Sequence, residues 1–114
     1  MRLLFTVVVT LSMQLYVPPA TALTMAEFAN ICRSMPKDCS EHPVLQAYVG
    51  GALDLLATLN EQTEYLKPLY CKAPKQLFDV AAIIRFMQQQ AEQYATQNAM
   101  LPLIRYFELY GGCK

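Results

Sequence analysis

Four cysteines, Cys32, Cys39, Cys71 and Cys113, constrain this 114-residue chain more than any other feature. Whether they act as staples, metal ligands or reactive thiols depends on the compartment, and the N-terminus bears on that. Arg2 precedes an apolar run from Leu3 to Val17, interrupted only by Thr6, Thr10, Ser12 and Gln14. Pro18 and Pro19 break the run, and Ala20-Thr21-Ala22 supplies the small-x-small pattern of a signal-peptidase site. At 15 residues the run falls short of the roughly 20 needed to span a bilayer. The pattern predicts a signal peptide over 1–22 and an exported domain over 23–114, free of the membrane once cleaved. Outside the cytosol an even cysteine count in a small domain predicts two disulfides. A zinc site needs Cys or His pairs a few residues apart. Here six residues separate the nearest cysteines, and the one histidine, His42, lies between Glu41 and Pro43. No metal and no cofactor is expected.

Cleavage changes what the composition means. Much of the 54% hydrophobic content sits in the leader, and what remains is 92 residues, enough for one domain. A core that small is modest and gains from covalent staples. With Arg2 removed the nine acidic groups exceed the basic ones by one, so net charge is about −1. That balance offers no field for nucleic acid or an anionic membrane surface.

Apolar residues recur at helical spacing and nowhere alternate as a strand requires. The first helix is predicted from Thr24 to Ser34, with Thr24 and Glu27 forming a capping box and Met25, Phe28, Ala29 and either Ile31 or Cys32 facing inward. The second begins at a Ser40 or His42 cap, and Val44, Leu45, Tyr48, Val49, Ala52, Leu55, Leu56 and Leu59 form its broad stripe. Gly50 and Gly51 fall inside it, where each costs about 1 kcal/mol against Ala, so another helix is expected to approach closely there. A polar loop follows from Asn60 to Tyr70. The third helix is predicted from about Pro74 to Gln90, with Leu77, Val80, Ala81, Ile84, Met87 and Ala91 marking its buried side. The fourth carries Ala99, Met100, Leu103, Ile104, Phe107 and Tyr110 and stops at Gly111-Gly112; either it starts near Asn98 with Pro102 in its first turn, or it kinks at Pro102. The fold class is therefore all-α, a small four-helix up-and-down bundle with two disulfides.

Bundle geometry selects the pairing. A second helix of about 17 residues is roughly 25 Å long. Cys32 and Cys39 bracket its start, whereas Cys71 and Cys113 both fall at its far end. Bridged Cα atoms lie within about 7 Å, so Cys32–Cys39 and Cys71–Cys113 are expected.

Catalytic signatures are missing from the sequence: no G-x-S-x-G, H-E-x-x-H, P-loop or dinucleotide fingerprint occurs. With one histidine and every cysteine bridged, no serine has an evident base. Glu61 and Glu64 are close enough to consider as paired carboxylates, and a solvated loop is the plainer account of them. Tyr65, Tyr70, Tyr94, Tyr106 and Tyr110 are many tyrosines for this length, which fits either a contact surface or the rim of a small core.

Three groups of residues carry a family resemblance. They are Tyr48-Val49-Gly50-Gly51 with Asp54, Tyr70-Cys71-Lys72-Ala73-Pro74 leading to Leu77 and Val80, and a last helix with Phe107 and a closing Cys113. Together they cover most of 44–113, and the chain resembles the Rap/Tai family of type VI secretion immunity proteins. Family members often carry a Cys before the Tyr-x-Gly stretch, where Gln46 and Ala47 stand here. The resemblance implies a periplasmic protein that is not an enzyme. Such a protein binds a peptidoglycan amidase effector and plugs its cleft with a loop, often as a homodimer. Two loops qualify: the turn from Gln90 to Thr96 with Glu92, Gln93 and Tyr94, which is favoured, and the segment with Glu61, Glu64 and Tyr65. A small periplasmic stress chaperone or general binding module is the alternative, followed by a lipid carrier with an apolar interior.

Overall fold

Four α-helices and two short 3₁₀ turns, tied by two disulfides, form the fold seen in a computed structural model, which describes residues 22–62 and 67–113. The predicted signal sequence up to Thr21, together with Glu64 and Tyr65, lies outside the described residues. Helix α1 spans Met25–Arg33. The predicted capping box closes its first turn: Thr24 Oγ1 accepts from Glu27 N at 3.2 Å, and the Glu27 carboxylate accepts from Thr24 N at 3.4 Å. Two further first-turn donors, Met25 N and Ala26 N, have no partner within a helix. They donate to the carbonyls of Gln97 and Ala95, both at 2.9 Å.

Helix α2 spans Pro43–Gln62, and so reaches into the segment predicted as a loop. Its last turn is held by a tertiary clamp that no periodicity reveals. Asn60 Oδ1 accepts from Leu69 N at 2.7 Å and Tyr70 N at 3.3 Å, while Asn60 Nδ2 donates to Tyr70 O at 3.0 Å. The helix expected from Pro74 is divided. A 3₁₀ turn covers Lys75–Phe78, and helix α3 begins afresh at Val80–Gln89. Asp79 makes the break, because its side chain accepts from Ala82 N at 3.1 Å and caps α3. Helix α4 spans Met100–Tyr110, which selects the first-turn placement of Pro102 over a kink, and Asn98 Oδ1 accepts from Met100 N at 2.9 Å.

Helices α2 and α4 start at the same end and α3 returns against both. Asp38 and Ser40, before α2, reach Arg85 late in α3. At the opposite end the Tyr70, Phe78 and Phe107 rings meet with centroids 5.4–5.8 Å apart. Both ends of α1 are held where α2 begins, through the 95–97 carbonyls and the Cys32–Cys39 bridge. Met25, Phe28, Leu45, Val49, Leu77, Ile83, Ile84, Met87, Leu103 and Phe107 are fully buried between these elements. Among the described residues no helix is long and apolar enough to cross a membrane.

The disulfides pair as geometry required, Cys32–Cys39 and Cys71–Cys113, each with Cα atoms 5.0 Å apart. Three expectations about packing fail. Val44 and Leu55, assigned to the buried stripe of α2, are 55% and 59% exposed, and Leu53 is buried instead. On α4, Tyr106 takes the inward place given to Tyr110, which is 52% exposed. Among the described residues Gly50 and Gly51 meet no other helix, since a Cβ built on either has nothing within 4 Å.

Candidate partner interface

The favoured loop is a stiff one. Tyr94 N donates to Gln90 O at 3.1 Å and Gln97 N donates to Tyr94 O at 2.8 Å, so the turn is closed on itself. Its far side carries the Gln97 and Ala95 carbonyls that cap α1, and Ala99 N donates to Leu23 O at 2.9 Å. Glu92 and Gln93 project into solvent. Tyr94 is different: its ring is half-buried and packs against the core, so it anchors the turn and offers only part of its surface.

The second loop's described part is also committed internally. Glu61, on the last turn of α2, accepts a hydrogen bond from the Tyr70 hydroxyl at 2.6 Å. Burial, and then the Glu61 carboxylate, push the Tyr70 phenol up to about 12 from 10.0. The folded chain keeps a proton that the unfolded chain releases from pH 10, so this contribution to stability is intact below pH 10 and lost between about 10 and 12. Tyr70→Phe is expected to remove that alkaline component and to cost about 1 kcal/mol at neutral pH, the worth of one hydrogen bond to a solvated carboxylate. Urea midpoints on both sides of pH 10 check it; an unchanged alkaline slope in the variant refutes the assignment.

His42 sits close to a hydroxyl, yet in the wrong sense for proton abstraction. Its Nδ1 accepts from Val44 N at 3.1 Å, which leaves the proton on Nε2, 3.4 Å from Ser34 Oγ. Ser34 Oγ itself donates to Ile31 O at 2.6 Å. A base for Ser34 would need a bare Nε2 and an acceptor at Nδ1; the ring instead caps the start of α2. Among the described residues no three His, Cys, Asp or Glu side chains converge to hold a metal ion. Asp38 is held below the usual carboxylate range by the Ser40 backbone N–H first and by Arg85 second, 3.1 Å away.

One surface escaped the sequence reading. Between α2 and α4 runs an apolar groove of about 420 Å³, with Tyr48, Ala52 and Leu55 on one wall and Met100 and Ile104 on the other. Periodicity assigned these side chains to the core because it reports which face is apolar and not whether anything covers it. From Pro43 to Leu59 the only charged residue is Asp54, a composition in which a second apolar face can be noticed. Burial in this wall raises the Tyr48 phenol.

The fold and surface together define a disulfide-stapled all-α protein with a pinned turn and an apolar groove that no other described element covers. A scan against protein-family models and searches of curated proteins and of solved structures find no match to this chain.

Proposed function

We propose that this protein is a periplasmic immunity protein that inhibits a peptidoglycan amidase effector by inserting the turn at 90–96 into its active-site cleft. The observation that carries the reading is the stiffness of that turn. Its backbone is tied to α1 and to itself while Glu92 and Gln93 stay free. A plug already ordered pays little conformational entropy on binding. A carboxylate at its tip suits a cleft that holds a basic or histidine group. The residues behind the family resemblance support the same reading, with Tyr48, Gly50, Gly51 and Asp54 together on α2 and Cys71 bridged to Cys113. In this reading the protein performs no chemistry, needs no cofactor and acts as a homodimer. The groove between α2 and α4 is the face available to the second copy, and light scattering of the isolated protein tests that part.

The test of the plug is a cell-wall hydrolysis assay with a candidate Cys-His amidase, and a gene for such an enzyme beside this one supports the reading. Stoichiometric inhibition by the purified protein is expected. Glu92→Arg combined with Gln93→Ala should weaken it by about a hundredfold or more, the scale of a desolvated hot spot, with an unchanged melting temperature because both side chains are exposed. Tyr94→Ala is a poor substitute, since it also removes core packing. Full inhibition by the double variant refutes the placement and moves the contact to Glu61, Glu64 and Tyr65. An isolated gene with chaperone activity favours the stress-chaperone alternative.

A further inference from the structure

On another face of the molecule Phe86, Tyr106 and Tyr110 pack against one another, with ring centroids 5.3 Å apart for Phe86–Tyr106, 4.8 Å for Tyr106–Tyr110 and 6.4 Å for Phe86–Tyr110. They wall an open depression of about 370 Å³, within the ~300–1,000 Å³ usual for small-molecule sites. The Tyr106 hydroxyl is spent on Gln76 O at 2.6 Å, which fixes both the ring and the 3₁₀ turn beside it. The rim is polar and open. The side-chain amides of Gln76 and Gln89 have no hydrogen-bond partner among the described residues, and Arg85 turns its Nε to Asp38 and its Nη2 to Ser40, leaving Nη1 unused there. Among the described residues no carboxylate lines the depression, and Tyr110 is 52% exposed above it.

These groups narrow the ligand by chemistry. An acyl chain would leave two amides and a guanidinium edge facing hydrocarbon, at a cost in unpaired polar groups. A polyanion would meet one cation already paired to Asp38. A sugar ring presents a C–H face to an aromatic wall and hydroxyls at its edge to planar donors and acceptors, and an acetamido group pairs with a primary amide through both its N–H and its C=O. We propose that this depression is a binding site for a neutral pyranose bearing an acetamido group. The site is separate from the turn at 90–96 and stands or falls independently of the inhibitor reading.

Amide chemical-shift titration of the full domain with a soluble β-linked trimer of N-acetylglucosamine is the experiment. Saturable shifts confined to the neighbourhood of Gln76, Arg85, Phe86, Gln89 and Tyr110 are expected. A glucose trimer should bind at least about tenfold more weakly. Tyr110→Ala, at a half-exposed position and with the fold checked by the dispersion of the same spectra, should weaken binding about tenfold, while Tyr110→Phe, which keeps the ring, should stay within about threefold. No saturable shift at about 10 mM trimer overturns the proposal. Wild-type affinity in Tyr110→Ala does the same, and so does equal binding of the glucose trimer.

Discussion

Replacing Cys71 and Cys113 together by Ala is expected to lower stability by about 4 kcal/mol, although both residues lie at the surface. The bridge spans 42 residues, and closing a loop of that length in the unfolded chain removes about that much free energy in the chain-entropy account. Both cysteines are exposed, so their replacement leaves no cavity and the measured loss reports the cross-link itself. For a domain of this size the melting temperature should fall on the order of 20 °C. The other bridge spans only seven residues, worth about 2.4 kcal/mol by the same account. Cys32 and Cys39 are 3% and 1% exposed, so replacing them also costs packing. Exposure further sets an order of reduction: a mild dithiol should open Cys71–Cys113 first, and alkylation at that stage should label those two residues alone. Labelling of Cys32 or Cys39 first, or a variant lacking Cys71 and Cys113 that melts with the wild type, would refute this account.

That the same bridges emerged from spacing alone shows which parts of the fold a linear sequence carries. The capping box of α1, the helical periods and the positions of cysteines relative to helix ends are local or depend on helix length, and all are seen in the structure. What the sequence withheld is tertiary. Asn60 reads as the start of a polar loop until its amide is seen gripping the backbone of Leu69 and Tyr70. Asp79 reads as one polar residue in a helical period until its carboxylate caps Ala82 N and divides the segment. Val44 and Leu55 carry the same periodic signal as Leu45 and Leu56, and only the three-dimensional arrangement tells which pair is covered. The candidate interface divides in the same way. The tip residues Glu92 and Gln93 were legible as a polar turn, whereas the bonds from α1 that hold the turn link residues about 70 positions apart.

Glycine illustrates the point quantitatively, and the expected effects have opposite signs. Periodicity placed a close helix approach at Gly50 and Gly51, but the close approach is at Gly111. A Cβ there would lie 2.5 Å from Phe107 O, 2.9 Å from Leu69 O and 2.9 Å from Tyr70 Cβ, all parts of the molecule with little freedom to retreat. The carbonyl of Gly111 also accepts from Cys71 N at 2.8 Å and Lys72 N at 2.9 Å, so shifting the residue strains the segment that Cys71–Cys113 closes. Its backbone is ordinary right-handed helix, φ −78 and ψ −12, which Ala adopts freely. The loss on Gly111→Ala is therefore one of space, and about 3 kcal/mol is expected, the upper end for overpacking. Gly112 differs, because its φ of +75 penalises any side chain through the backbone itself. Gly50→Ala should gain about 0.5–1 kcal/mol, since the helix loses a flexible residue and the new methyl meets nothing within 4 Å. The pair of variants carries the same chemical change, one methyl group on a helical glycine, and should differ by about 4 kcal/mol in denaturant titrations with both disulfides intact. A neutral Gly111→Ala would mean that the last turn of α4 does not seat against Leu69 and Tyr70, and with it the C-terminal closure of the fold would be wrong.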